Sequence, residues 1–84
     1  MYQVIVERSA EKDLKKLSAE MRPRVASALQ ALALNPRPAG SRKLAGTAND
    51  WRIRVGEYRI VYEIADQIRI VRVNRVRHRS DVYR

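Results

Sequence analysis

Residues 51–64, WRIRVGEYRIVYEI, alternate apolar and charged side chains on both sides of a glycine. A period of two belongs to a strand, so the run reads as a β-hairpin. With Gly56 and Glu57 as a two-residue turn, glycine first as a type II′ turn prefers, Val55 faces Tyr58, Arg54 faces Arg59, Ile53 faces Ile60 and Arg52 faces Val61. Arg54 and Arg59 then stand directly opposite each other. Like charges facing across strands are destabilising, so a sheet that keeps this pair is expected to be built for an anion lying on it.

The neighbouring segments extend this hairpin into a fold. A second turn at Asp66-Gln67 gives three strands at about residues 50–55, 58–65 and 68–75, pairing Ile64 with Arg69, Tyr62 with Val71 and Ile60 with Val73. The faces agree across both hairpins: Trp51, Ile53, Val55, Tyr58, Ile60, Tyr62, Ile64, Val71 and Val73 fall on one side, Arg52, Arg54, Arg59, Arg72 and Asn74 on the other. Before them, residues 2–7 (YQVIVE) read as a β-branched first strand. Ser9 is the expected N-cap of a helix over residues 10–17, with Ala10, Leu14 and Leu17 inward and Lys12, Lys15 and Lys16 outward. A second helix starts at Ser18 or Arg22, Pro23 leaving both caps open, and carries Met21, Val25, Leu29 and Leu32 on one stripe. Asn35-Pro36-Arg37-Pro38 ends it after Leu34. Residues 39–49 read as a loop, and residues 77–84 as either a helical turn capped by Ser80 or an extended end. The expected fold is α+β: an N-terminal strand, two helices as a helical hairpin, then a three-stranded antiparallel meander packed against the helices, all in one domain over residues 1–84.

Charge indicates the kind of partner. Lys and Arg number 18 against 9 Asp and Glu, a net +9, and from Arg42 onward eleven basic residues face five acidic ones. Arginine forks onto phosphate and stacks on bases, so the first expectation is nucleic acid. A membrane partner is not expected, because the basic residues lie on strands rather than one amphipathic helix and no apolar run approaches the ~20 residues of a span. With no signal-peptide pattern, a cytoplasmic location is expected. There is no cysteine and His78 is the sole histidine, so neither a metal site nor a cofactor is expected.

Three motifs add a family. Lys43-Leu44 followed by Gly46, the run W-R-I-R-V-G-x-Y-R-I-V-Y, and the ending H-R-x-D-V-Y, in that order of elements, resemble the RelE/ParE superfamily of bacterial type II toxins over nearly the whole chain. In the RelE branch the resemblance implies a RelE-like fold and an mRNA interferase that cuts messenger RNA in the ribosomal A site without a metal. It also implies three partners: a cognate acidic antitoxin, the ribosome with its mRNA, and operator DNA for the antitoxin-bound complex. The family's basic positions on the second strand fall on Arg52 and Arg54, its third-strand arginine on Arg59, its C-terminal basic position on Arg77 and its terminal tyrosine on Tyr83; His78 sits where many relatives have a histidine. The alternative is a ParE-like toxin that inhibits DNA gyrase on the same fold without nuclease activity.

Cleavage of RNA by its own 2′-hydroxyl needs a base, positive groups for the phosphorane and an acid for the leaving oxygen. Arg54, Arg59 and Arg77 suit the second role, and Arg52, Arg72, Arg79 and Lys43 suit RNA binding. Arginine keeps its proton to pKa values above ~12, so proton transfer falls to His78 and Tyr83, with Glu57 and Glu63 as lesser candidates. Each has a plainer reading. The arginine ladder serves equally as a solvated face or an antitoxin contact, His78 as a surface histidine, Tyr83 as a packing anchor and Glu63 as an arginine's partner. Lys12, Lys15, Lys16, Arg22 and Arg24, exposed on the helices, suit an acidic antitoxin segment.

Overall fold

The structure is a computed structural model that describes the backbone of residues 1–83 and the side chains of residues 1–81. Along the chain lie β1 (Gln3–Val6), α1 (Arg8–Lys15), α2 (Met21–Leu34), β2 (Arg42–Lys43), β3 (Asp50–Val55), β4 (Tyr58–Ala65), β5 (Ile70–His78) and a 3-10 turn (Arg79–Tyr83). The strands form one sheet in the order β1-β5-β4-β3-β2, with β1 parallel to β5 and the other neighbours antiparallel. The expected α+β class is present. Its three-stranded meander is the centre of a five-stranded sheet, flanked by β1 and by a two-residue β2 inside the segment read as a loop.

The first hairpin has the expected register at all four pairs. Gly56 has φ +60 while Glu57 stays negative, as a type II′ turn requires, and a Cβ on Gly56 would lie 3.4 Å from the Arg24 guanidinium. The second hairpin differs. Residues 66–69 close it, Ala65 faces Ile70, and Tyr62 faces Val73 rather than Val71. A two-residue type I′ turn needs positive φ at both central residues, which Asp66 tolerates and Gln67 does not; in the longer loop the positive φ falls on Arg69, at 54°. The slip is by two residues, an even number, so the facing set survives it.

Beyond that point β5 breaks the alternation. A bulge between Val61 and Tyr62 of β4 leaves Val61 opposite Arg75 and Ile60 opposite Val76, with Asn74 as the extra residue. An extra residue reverses parity for the rest of a strand. Val76 therefore enters the core, and Arg77 turns to the face that carries Arg59.

The helices meet the sheet by named contacts. β1 ends at Val6, and α1 then satisfies the exposed edge of β5: the Glu7 N–H donates to the Val73 carbonyl at 2.9 Å, the Ser9 hydroxyl to the Asn74 carbonyl at 2.7 Å, and the Val76 N–H to the Asp13 carboxylate at 2.9 Å. Ser9 is thus not the N-cap. Glu7 occupies that position without a side-chain cap, because the hydroxyl of Ser9 is needed at the strand edge. Two residues earlier than expected, α1 stops at Lys15, where Arg22 donates to the carbonyls of Leu17 and Lys15 at 3.1 and 3.3 Å. Ser18 caps the approach to α2, its hydroxyl accepting from the Met21 N–H at 3.2 Å. Pro23 then falls third in the helix, within the first turn, where a missing N–H is least costly.

The core lies between the helices and one face of the sheet, built from Ala10, Leu17, Val25 and Leu32 against Ile53, Ile60, Tyr62, Ile64, Val71, Val73 and Val76. Trp51, Val55 and Tyr58 pack at its margin. Burial alone would raise the Asp13 pKa, yet its bonds to Arg75 and the Val76 N–H outweigh that and hold it below the usual value. Asp13→Ala leaves the Val76 amide and Arg75 without their acceptor and is expected to cost about 1–3 kcal/mol, read as a lower urea midpoint.

A second polar cluster ties the start of the chain to the segment after α2 and to the turn between β4 and β5. Arg37 grips Asp66 through two bonds of 3.1 and 2.8 Å, the Tyr2 hydroxyl donates to Asp66 at 2.7 Å, and the Arg37 guanidinium lies 5.1 Å from the Trp51 ring centroid. The bonds from Arg37 and Tyr2 lower the Asp66 pKa to about 2. A depressed carboxyl stabilises the native state above its unfolded pKa of about 4, and this contribution disappears as pH falls through the native value. Asp66→Asn is therefore expected to flatten the acid limb of a stability profile between about pH 4 and pH 2. An unchanged slope in denaturant titrations at several pH values would contradict this.

Candidate nucleic-acid interface

On the sheet face away from the helices, cross-strand register assembles arginines that are distant in sequence. Arg54 on β3 faces Arg59 on β4, and Arg59 faces Arg77 on β5, so three guanidinium side chains stand abreast. Two residues further along β3, Arg42 on β2 faces Arg52. Neighbouring strands are about 4.8 Å apart, so the charges are crowded. Among the described residues none of Arg42, Arg52, Arg54, Arg59 and Arg77 makes an ion pair, whereas Arg37, Arg72, Arg75 and Arg79 each do.

These side chains border a groove of about 760 Å³ lined by Arg42, Lys43, Leu44, Ala45, Arg52, Arg59, Val61, Arg77 and Asp81. An adjoining depression of about 330 Å³ brings in Arg54 beside Gly40, Arg42, Arg52, Ile53 and Arg59. Val61, Leu44 and Ala45 supply apolar surface among the cations, a combination suited to a chain of phosphates carrying planar bases. The Nε of Arg77 is buried without a hydrogen-bond partner among the described residues. A buried donor in that state has given up hydration that no bond among the described residues replaces.

The structure brings together Arg52, Arg54, Arg59, Arg77 and Lys43 of the expected site. It places the others elsewhere. Arg72 shares the face but lies between Glu7 at 3.3 Å and Glu63 at 3.8 Å, so its charge is matched. Arg79 sits at the tip of the first hairpin, ion-paired with Glu57 at 3.4 Å. His78 faces Tyr58, its ring edge-on at 5.2 Å and 87°, on the side of β5 opposite Arg77. The side chain of Tyr83 lies outside the described residues. Glu57 and Glu63 are both engaged by arginines.

Two charged groove residues, Arg42 and Asp81, escaped the sequence reading, as did the apolar Leu44, Ala45 and Val61. Arg42 sits on a strand too short to show any periodicity. Asp81 follows the last strand, where alternation no longer applies. Arg77 was expected at the site from the resemblance alone, yet its facing had a signal of its own: Val71, Val73 and Val76 are spaced by two and then three, the interval a bulge produces.

The family model of the ParE toxin of the parDE type II toxin–antitoxin system matches residues 4–83. The chain belongs to this family. It is a type II toxin of the RelE/ParE superfamily, and solved structures of RelE toxins share its fold. The isolated Escherichia coli RelE toxin is similar at 29% identity and a TM-score of 0.82, over 99% of this chain and 92% of that one. The toxin–antitoxin complex RelBE2 of Mycobacterium tuberculosis is similar at 29% identity and a TM-score of 0.81, over 92% and 96%. The RelE–RelB complex of Pyrococcus horikoshii, at 24% identity, a TM-score of 0.83, and coverage of 93% and 94%, is alike in fold. None of the curated proteins matches the chain by sequence.

Proposed function

We propose that this toxin is a metal-independent, ribosome-dependent mRNA endonuclease whose basic groove holds the RNA backbone. The observation that carries the reading is the unneutralised row Arg54, Arg59 and Arg77, with Arg59 and Arg77 in the groove and Arg54 in the depression that adjoins it. In this chemistry the 2′-oxygen attacks the adjacent phosphorus, the P–O5′ bond breaks, and a cyclic phosphate and a 5′-hydroxyl remain. The phosphorane between them is dianionic, and guanidinium donors fixed by a sheet stabilise it without reorganising. Arginine holds its proton throughout, so Arg54, Arg59 and Arg77 bind and polarise rather than act as bases. Proton transfer falls to Tyr83, beyond His78 in the C-terminal segment.

The site of action is the cytoplasm, with the ribosome and its mRNA as partners; no helix among the described residues is long and apolar enough to cross a membrane. The second partner is a cognate acidic antitoxin, in line with the RelE–RelB complexes among the similar structures. The complex with that antitoxin binds operator DNA. Induced expression followed by mapping of mRNA 5′ ends tests the nuclease. New ends inside translated messages are expected. Intact messages together with a DNA-damage response would instead favour a gyrase-inhibiting toxin, the reading that the ParE description of the family favours.

Binding to a single-stranded RNA oligonucleotide is expected to weaken with salt, since each phosphate contact contributes about −0.7 to the log–log slope. Arg52→Ala should reduce that slope by roughly one contact. Fluorescence anisotropy across a salt series measures it, and an unchanged slope would remove Arg52 from the interface.

A further inference from the structure

His78 is the last residue of β5, and its surroundings define what the ring does. The Ser80 N–H donates to His78 Nδ1 at 3.1 Å, and the Ser80 hydroxyl lies 2.8 Å from the same nitrogen. A backbone amide only donates, so Nδ1 is the acceptor and the neutral ring carries its proton on Nε2. The one ring lone pair available to a proton is thereby engaged with Ser80. Nothing is left on the neutral ring to remove a 2′-hydroxyl proton, and the ring stands edge-on to Tyr58 in a depression of about 330 Å³ that Arg77 and Asp81 also line.

We propose that His78 is a positioning residue: its Nδ1 captures the Ser80 N–H and sets the direction in which the C-terminal turn leaves β5. That turn runs beside the basic groove, where Asp81 shares the lining with Arg59 and Arg77. A second anchor stands next to the first. The Arg79 N–H donates to the Glu57 carbonyl at 2.7 Å and its guanidinium pairs with the Glu57 carboxylate at 3.4 Å, tying the start of the turn to the tip of the first hairpin. Held at residues 79 and 80, the segment that continues to Tyr83 has a defined path. The Tyr58 ring, perpendicular to the imidazole, fixes the plane in which Nδ1 is presented.

The part of this inference that concerns cleavage rests on the endonuclease reading; the part that concerns the turn does not. Asparagine places an acceptor near the position of Nδ1, and glutamine places one near that of Nε2. The experiment therefore compares His78→Asn, His78→Gln and His78→Ala by amide hydrogen exchange at Ser80 and by mRNA cleavage. His78→Asn is expected to keep Ser80 protected and cleavage near the parent rate. The other two should accelerate Ser80 exchange and slow cleavage by about tenfold, the equivalent of one hydrogen bond. An inactive His78→Asn with Ser80 still protected would overturn the proposal in favour of proton transfer by Nε2. Ser80 exchange in His78→Ala equal to the parent's would overturn it as well. Should the parent cleave no RNA, the endonuclease reading fails, and Ser80 exchange alone still decides the positioning role by the same comparison.

Discussion

Replacing Arg59 by alanine is expected to lower RNA cleavage by about 10²–10³-fold, the effect of deleting one preorganised donor to a developing anion. The same change should leave the fold as stable as before or slightly more so. Arg59 is the middle of three arginines abreast, facing Arg54 on one side and Arg77 on the other, with no acidic partner among the described residues. Each like-charged cross-strand pair opposes folding by a few tenths of a kcal/mol, and removing the central member relieves two of them. Loss of the half-buried aliphatic stem works in the other direction and limits the gain. Arg59→Lys keeps the charge and loses the fork, so its cleavage rate should fall between the two. Primer extension on ribosome-bound message and urea unfolding read the two effects separately. A variant that cleaves normally, or one that loses more than about 1 kcal/mol of stability, would show that the row is structural rather than functional.

The largest stability effect is expected at Tyr62. Its ring is fully buried in the centre of the core, and its hydroxyl donates to the Pro36 carbonyl at 2.7 Å. Tyr62→Ala should cost about 3–5 kcal/mol through lost burial and a residual cavity. A domain of this size has a total stability of about 4–13 kcal/mol, so the variant is expected to be marginally folded at best. Tyr62→Phe isolates the hydroxyl: the Pro36 carbonyl loses its donor, at about 1–2 kcal/mol. It should also weaken function modestly, because the segment after Pro36 leads to Arg42 and Lys43 on the groove wall. Circular dichroism against urea measures both variants. Equal midpoints for Tyr62→Phe and the parent would mean that the hydroxyl contributes nothing.

The two predictions draw on parts of the molecule that differ in how far a sequence discloses them. Alternation from Trp51 to Ile64 and the glycine at position 56 are local facts, and a type II′ turn converts them into a register without outside help. The pairs Arg54 with Arg59 and Ile53 with Ile60, and with them half of the basic face, were therefore legible. Membership of Tyr62 in the core was legible for the same reason. Its partner Pro36 was not, since the two are 26 residues apart and nothing local links them. The charge state of the face was equally hidden. Arg72 carries the same residue type and parity as Arg59, yet Glu7, 65 positions away, joins Glu63 in neutralising it.

The bulge in β5 decided most. Strict alternation from Val71 and Val73 would send Arg77 toward the core and His78 to the basic face. One extra residue at Asn74 exchanges them, so that Arg77 completes the row with Arg59 while His78 turns to Tyr58 and holds Ser80. Local periodicity is set by backbone geometry within a few residues and can be read from the chain. Where that period breaks is set by distant groups competing for the same strand, here Val76 filling the core beside Ile60 and Asp13 of α1 taking the Val76 amide at the sheet's edge. Those contacts exist only once the helix has packed on the sheet.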